Sequence, residues 1–252
     1  MVRTALSIAG SDSGGGAGIQ ADLKAFAAAG VHGSTAIVAL TAQNTLGVTA
    51  VHELPVDFVL AQLDAVWDDI GVDAAKTGML FSRALIEAVA QWLGAHPVPL
   101  VVDPVMLASS GARLLEEDAV EMLITRLFPL ATVVTPNVME AEALVGAGSR
   151  REQAERLVAL GAGAAVVTGG HGADAVDHLY DGERHVEIPV VRHDVAATHG
   201  AGCTHSATLA ALLARGESLA QAARGAARAA SGAVERGLVE IGRGDGPVNV
   251  LG

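Results

Sequence analysis

The sequence predicts an α/β three-layer sandwich, with a mainly parallel central sheet and helices on both of its faces. Three observations lead there. Short β-branched runs alternate with longer Ala/Leu-rich stretches along most of the chain, the pattern of repeated βαβ units. Hydrophobic residues make up 51% of the 252 residues but aromatics only 3%, so the core rests on Ala, Val, Leu and Ile, which suits helices layered on a parallel sheet. The length suffices for one large core, and neither a repeat nor a linker divides it, so residues 1–252 read as a single domain.

Strands are expected at residues 4–9, 34–40, 74–77, 100–103, 132–135 and 164–168. Helices are expected between and after them at 18–29, 56–70, 82–93, 116–127, 139–145 and 150–160. The runs 176–180 and 184–189, joined by Asp181-Gly182, form a hairpin at the sheet edge. Two further helices follow at 203–214 and 219–236, and a Gly-rich tail at 242–246 follows these.

The bulk numbers exclude several function classes. A net charge of −12 argues against a general nucleic-acid or anionic-membrane binder, although a local site for a phosphorylated ligand remains compatible with it. One cysteine forbids an internal disulfide and fits a reducing compartment. No uninterrupted apolar run of about 20 residues predicts a transmembrane helix. The first residues are already strand-like and lack the pattern of a secretory leader, so a cytoplasmic location is expected.

The residues with chemistry sit just past the predicted strands. Gly10 and Asp12 follow the first, Gln43 and Asn44 the second, and Gly78 and Met79 the third. Asp103 ends the fourth, Asn137 follows the fifth, and Gly169, Gly170 and His171 follow the sixth. Open parallel sheets bind ligands at the carboxyl ends of their strands, so these clusters predict one binding edge.

Three motifs stand out on that edge. The first is the loop from Gly10 to Gly18, whose glycines let backbone approach a ligand. It is neither a phosphate loop ending in Gly-Lys-Ser/Thr nor a dinucleotide fingerprint, because Ile19 stands where the third glycine belongs. Asp22, one turn into the next helix, either accepts a hydrogen bond from a ligand or serves the helix dipole. The second motif pairs Asp103-Pro104 with Thr135-Pro136-Asn137 and Glu140. Strand-end carboxylates can hold Mg²⁺ beside nucleotide phosphates; alternatively Glu140 is simply an N-terminal helix acid.

The third motif is the turn Thr198-His199-Gly200-Ala201-Gly202-Cys203-Thr204 before an Ala/Leu helix. Free N–H groups and the helix dipole there form an anion hole suited to a transferring phosphoryl group. Cys203 lies in the first turn, where the dipole is expected to favour a thiolate able to take a proton from an attacking alcohol. Elsewhere a lone Cys packs as a small hydrophobe. His199 and His205 lack a zinc-ligand spacing.

Together these stretches resemble the hydroxymethylpyrimidine/phosphomethylpyrimidine kinases of thiamin synthesis, within the ribokinase-like superfamily. The resemblance rests on IAGSD at 8–12, GGGAGIQAD at 14–22, AQNT at 42–45, KTGML at 76–80, VDPVM at 102–106, TPN with Glu140, GGH at 169–171 and THGAGCT at 198–204, in family order. It implies a ribokinase-like fold and ATP-dependent, Mg²⁺-assisted phosphorylation of 4-amino-5-hydroxymethyl-2-methylpyrimidine, then of its monophosphate. It implies that Gly10, Asp22, Gln43, Met79 and Val105 hold the pyrimidine. Asn137, Thr168, Gly170, His171 and Thr198 lie with the nucleotide, and Asp103 and Glu140 with the metal. It further implies that Gly200, Ala201 and Gly202 form the anion hole, that Cys203 is the base, and that the chain is a homodimer.

Three positions depart from the family pattern. Thr168 stands where Lys is usual, Ala201 where Thr is usual, and His205 where an apolar residue is common. The nearest alternative is a pyridoxal kinase or a dual enzyme; a non-catalytic pyrimidine-binding module is the alternative from another class.

Overall fold

The structure, a computed structural model, describes residues 2–106, 119–169 and 175–252. Its centre is β1 (Thr4–Asp12), which pairs in parallel with β2 (His32–Asn44) on one side and β4 (Ala74–Thr77) on the other. The parallel block continues through β5 (Leu100–Val102), β6 (Val133–Val134) and β7 (Ala165–Val167). Antiparallel strands finish both edges: β3 (Gly47–Glu53) beside β2, and the hairpin β8 (Val176–Tyr180) and β9 (His185–Pro189) beside β7. The order across the nine-stranded sheet is β3-β2-β1-β4-β5-β6-β7-β8-β9.

Successive residues of a strand point to opposite faces, and here each face has its own core. Ala5, Ala74, Val101, Val133 and Val166 face α1 (Gly18–Ala28), α7 (Ala201–Ala214) and α8 (Leu219–Glu235). Their neighbours Leu6, Ala75, Val102, Val134 and Val167 face α2 (Val56–Asp69), α3 (Arg83–Ala95), α4 (Ala119–Met122), α5 (Val138–Val145) and α6 (Arg150–Ala159). Helix α7 is apolar on nearly every side because it lies between α1, α8 and the sheet, so ten of its residues are buried. The expected three-layer α/β sandwich is the observed one.

Several boundaries differ from expectation, each with a cause. Strand β3 was not anticipated: it is a half-exposed edge strand and carries no clean apolar alternation. Strands β1 and β2 run on to Asp12 and Asn44, so Gly10, Asp12 and Gln43 belong to strand ends rather than to loops. The helix expected at 116–127 is described only from Ala119, and its last turn, Leu123–Leu127, widens to a π turn before Pro129. Helix α7 begins two residues before the expected start, which makes Cys203 its third residue.

The Gly-rich tail is not loose. Gly246 N–H donates to Ala196 O at 3.3 Å, and Val248 N–H to His199 O at 3.0 Å. Gly242 and Gly244 pack against Thr45, where any side chain on either would collide with it. The tail therefore straps the β2–β3 turn to the segment leading into α7.

Candidate active site

The carboxyl ends of the parallel strands open onto a cavity of about 900 Å³. Its walls contain Gly10, Gln43, Met79, Asp103, Val105, Asn137, Glu140, Thr168, Thr198, Gly200, Ala201, Gly202 and Cys203. One cavity thus gathers thirteen of the sixteen residues to which the resemblance gives a site role. Gly170 and His171 lie outside the described residues.

Asp22 is the exception. It is fully buried behind the wall, with Oδ2 accepting from Ser7 Oγ–H and both oxygens 2.9–3.0 Å from Lys76 Nζ. Its expected contact with a ligand is therefore corrected: the carboxylate is consumed by the ion pair beneath the cavity. Lys76 is the residue that sequence reasoning missed. The signal was present, since it is one of two lysines and interrupts a strand whose four residues are all buried. Burial works against its charge, but the Asp22 carboxylate, with Cys203 and Asp103, outweighs this and holds the ammonium above its ordinary pKa. Asp103 Oδ2 lies 3.8 Å from Lys76 Nζ and accepts Ser206 Oγ–H at 2.8 Å.

The turn before α7 owes its shape to Gly200, which is left-handed at φ 88° and whose missing Cβ would lie 1.8 Å from Gly16 O. Ala201 N–H closes this turn on Thr198 O at 3.1 Å. The first-turn N–H groups of Gly202 and Cys203 have no carbonyl one turn back within the helix. Gly202 is exposed, and a side chain there would meet open space, so its backbone is bare towards the cavity. Of the donors expected from 200–202, Ala201 N–H is thus spent within the turn, while those of Gly202 and its neighbour Cys203 have no helical partner. Thr198 spends its N–H and hydroxyl on Asp245, at 2.8 and 2.9 Å.

Cys203 is half-buried. The expectation that the helix dipole favours its thiolate is overturned. Loss of water around it, with Asp22 and Asp103 nearby, pushes the thiol up to about 12 against the opposing pull of Lys76 and the Gly18 N–H. Glu140 is likewise raised, to about 8, first by burial and then by the Asp103 charge. It also completes a capping box with Asn137, whose Oδ1 accepts Glu140 N–H at 2.9 Å. His205 is buried on the cavity wall with Nε2 3.6 Å from Asp177 Oδ2, and burial holds it below its usual value.

On the opposite wall, Gly10 is glycine because Met79 lies over it: a Cβ there would sit 2.3 Å from Met79 Cε. Gln43 presents its amide between Thr41 Oγ1 at 3.2 Å and His199 Nε2 at 3.3 Å. Met79 and Val105 supply apolar surface, and Gln43 supplies a polar edge, a combination suited to a flat heteroaromatic ring.

The phosphomethylpyrimidine kinase family model matches residues 12–249, nearly the whole chain. The chain belongs to the phosphomethylpyrimidine kinase family. A hydroxymethylpyrimidine/phosphomethylpyrimidine kinase of Rhizobium meliloti is 50% identical over 260 residues, covering 99% of this chain and 97% of that protein. Among solved structures, the ADP complex of a pyridoxal kinase from Bacillus subtilis superposes with a TM-score of 0.91 at 38% identity, over 99% of this chain and 97% of that one. A phosphomethylpyrimidine kinase from Clostridium difficile 630 superposes at 0.80, also at 38% identity, over 89% and 96%. As a kinase of this family, the chain has no described helix long and apolar enough to cross a membrane.

Proposed function

We propose that this chain transfers the γ-phosphoryl group of ATP to the hydroxymethyl oxygen of 4-amino-5-hydroxymethyl-2-methylpyrimidine, and then phosphorylates the monophosphate, within thiamin biosynthesis. One observation carries the reading: the bare N–H turn at 202–203 and the Cys203 thiol open onto the same cavity as the ring-sized wall of Met79, Val105 and Gln43. Cys203 takes the proton of the attacking alcohol. The N–H groups of Gly202 and Cys203 hold the oxygens of the transferring group where charge spreads. Lys76, below the thiol, lowers the cost of its ionisation.

Among the described residues, no cluster of three or more His, Cys, Asp or Glu side chains could hold a metal ion. Asp103 and Glu140 nevertheless fit Mg²⁺, which needs only one or two carboxylates beside nucleotide phosphates. Their mutual repulsion, visible in the raised Glu140, marks a place where a cation is favoured. When bound, Mg²⁺ would neutralise charge on the phosphates. We read the enzyme as cytoplasmic and homodimeric, on the family resemblance.

Cys203→Ala tests the assignment. Losing a positioned base slows the first transfer on the order of 10²-fold. The second transfer suffers far less, because its nucleophile is already an anionic phosphate oxygen. Since the thiol must lose its proton, the wild-type first step speeds up as pH rises below about 12, and the variant loses that dependence. Equal losses in both steps would show that Cys203 only shapes the anion hole.

The 0.91 superposition favours one further reading, in which pyridoxal is also a substrate. Side-by-side turnover of the two alcohols decides; faster turnover of pyridoxal would overturn the primary assignment.

A further inference from the structure

Asp12 ends β1, and its carboxylate organises the loop that follows. Oδ1 accepts Gly14 N–H at 2.7 Å; Oδ2 accepts Gly16 N–H at 3.0 Å and Ala17 N–H at 2.8 Å. Burial works against this charge, but His199 and the N–H groups of Ala17 and Gly14 outweigh it and hold the carboxyl below its usual range. The fourth contact crosses 187 positions, to His199 Nε2 at 2.9 Å. Because a carboxylate only accepts, His199 carries a proton on that nitrogen.

His199 directly precedes the left-handed Gly200, and the tail pins its backbone on both sides: its N–H donates to Gly246 O at 3.2 Å and its carbonyl accepts Val248 N–H at 3.0 Å. The loop and the turn also touch backbone to backbone. A Cβ on Gly16 would lie 2.3 Å from His199 Cδ2, and one on Gly200 would lie 1.8 Å from Gly16 O. No side chain fits between them. At the far end of the loop, the Gly18 N–H lies on the Cys203 side and favours the charged form of its sulfur. The loop thus reaches towards the proposed base, and its other end is held by a histidine on the base's own turn.

We infer that Asp12 and His199 are a positioning pair that locks the 12–18 loop onto the 198–204 turn, so that both glycine segments meet the transferring group as one rigid body. Their role in catalysis rests on the phosphoryl-transfer reading; the lock itself does not. Neither side chain moves a proton in the reaction. Each acts through the backbone that it holds.

Four variants and two measurements test this. His199→Leu and Asp12→Asn should each lower kcat on the order of 10²-fold, the scale of a misplacement of about 1 Å, with KM unchanged. The double variant should be no slower than the worse single one, because breaking one contact already frees the loop. His199→Gln keeps an N–H donor and should recover most of the rate. Alkylation of Cys203, the only thiol in the chain, should speed up several-fold in His199→Leu and Asp12→Asn but not in His199→Gln, as the loop lifts from the sulfur. Independent, multiplying losses in kcat, or alkylation that ignores these changes, would overturn the lock. Should His199→Leu fail to fold, Asp12→Asn against His199→Gln carries the same comparison. The alkylation arm reads the lock even in a protein without turnover.

Discussion

A carboxylate at the third position of a helix ordinarily stays ionised at neutral pH, because free N–H groups and the helix dipole favour its charge. Glu140 occupies such a position, yet burial and the charge on Asp103 raise it from an ordinary 4.5 to about 8. The folded state therefore binds a proton here that the unfolded chain has released. The stability that this group contributes is full below about 4.5 and is lost as pH rises through about 8, the reverse of a salt-bridged acid. Glu140→Gln keeps an oxygen for the Asn137 cap and loses the charge. Its melting temperature should exceed the wild-type value by a margin that widens from mildly acid to mildly alkaline pH; a constant margin would refute this account. Cys203 teaches the same lesson with the opposite outcome for chemistry. Its place in the first turn of α7 was legible and argued for a thiolate. Its pKa was not legible, because Asp22 and Asp103 come from other elements.

At the scale of elements, the tie between β4 and α1 decides whether the cavity has a floor. Lys76 and Asp22 are both fully buried, 54 positions apart, with Ser7 of β1 as a third partner. Removing one member leaves a buried charge unpaired. Lys76→Met should therefore cost about 3–5 kcal/mol, whereas Lys76→Met with Asp22→Leu should recover most of it. Denaturant unfolding of the two variants checks this; equal destabilisation would mean that the cost does not come from the unpaired Asp22 charge. The double variant should remain slow in turnover, since Lys76 is then absent beneath Cys203. Sequence alone suggested a ligand role for Asp22 because the acid stands next to a glycine loop. The partner that absorbs it lies on the buried strand β4, and only the packing of α1 on β1, beside β4, brings the two together.

At the scale of the whole molecule, a net charge of −12 surrounds a cavity meant for anions. The local N–H groups act at close range, but the long-range field repels ATP on approach. Salt screens that repulsion, over a Debye length of about 10 Å at 0.1 M. The kcat/KM for ATP should therefore rise with moderate ionic strength, while that for the neutral pyrimidine alcohol stays flat. A steady fall for ATP would show that local positive charge dominates the encounter. The C-terminal strap belongs to this scale as well. Composition marked residues 242–246 only as a tail, and nothing local announces that Asp245 holds Thr198 or that Gly244 fits against Thr45.

What the sequence determined by itself was the alternation of strands and helices, the edge on which the cavity opens, and many of the polar and glycine residues in its wall. These follow from local causes: periodicity of apolar residues, glycine where backbone turns sharply, and acids and amides at strand ends. The edge strand β3, the burial of Asp22 on Lys76, the raised thiol of Cys203 and the Asp12–His199 lock were decided only by the tertiary structure. Each depends on desolvation or contact between segments far apart in the chain, and the charge state of a buried group is set by what surrounds it in space rather than by its neighbours in sequence.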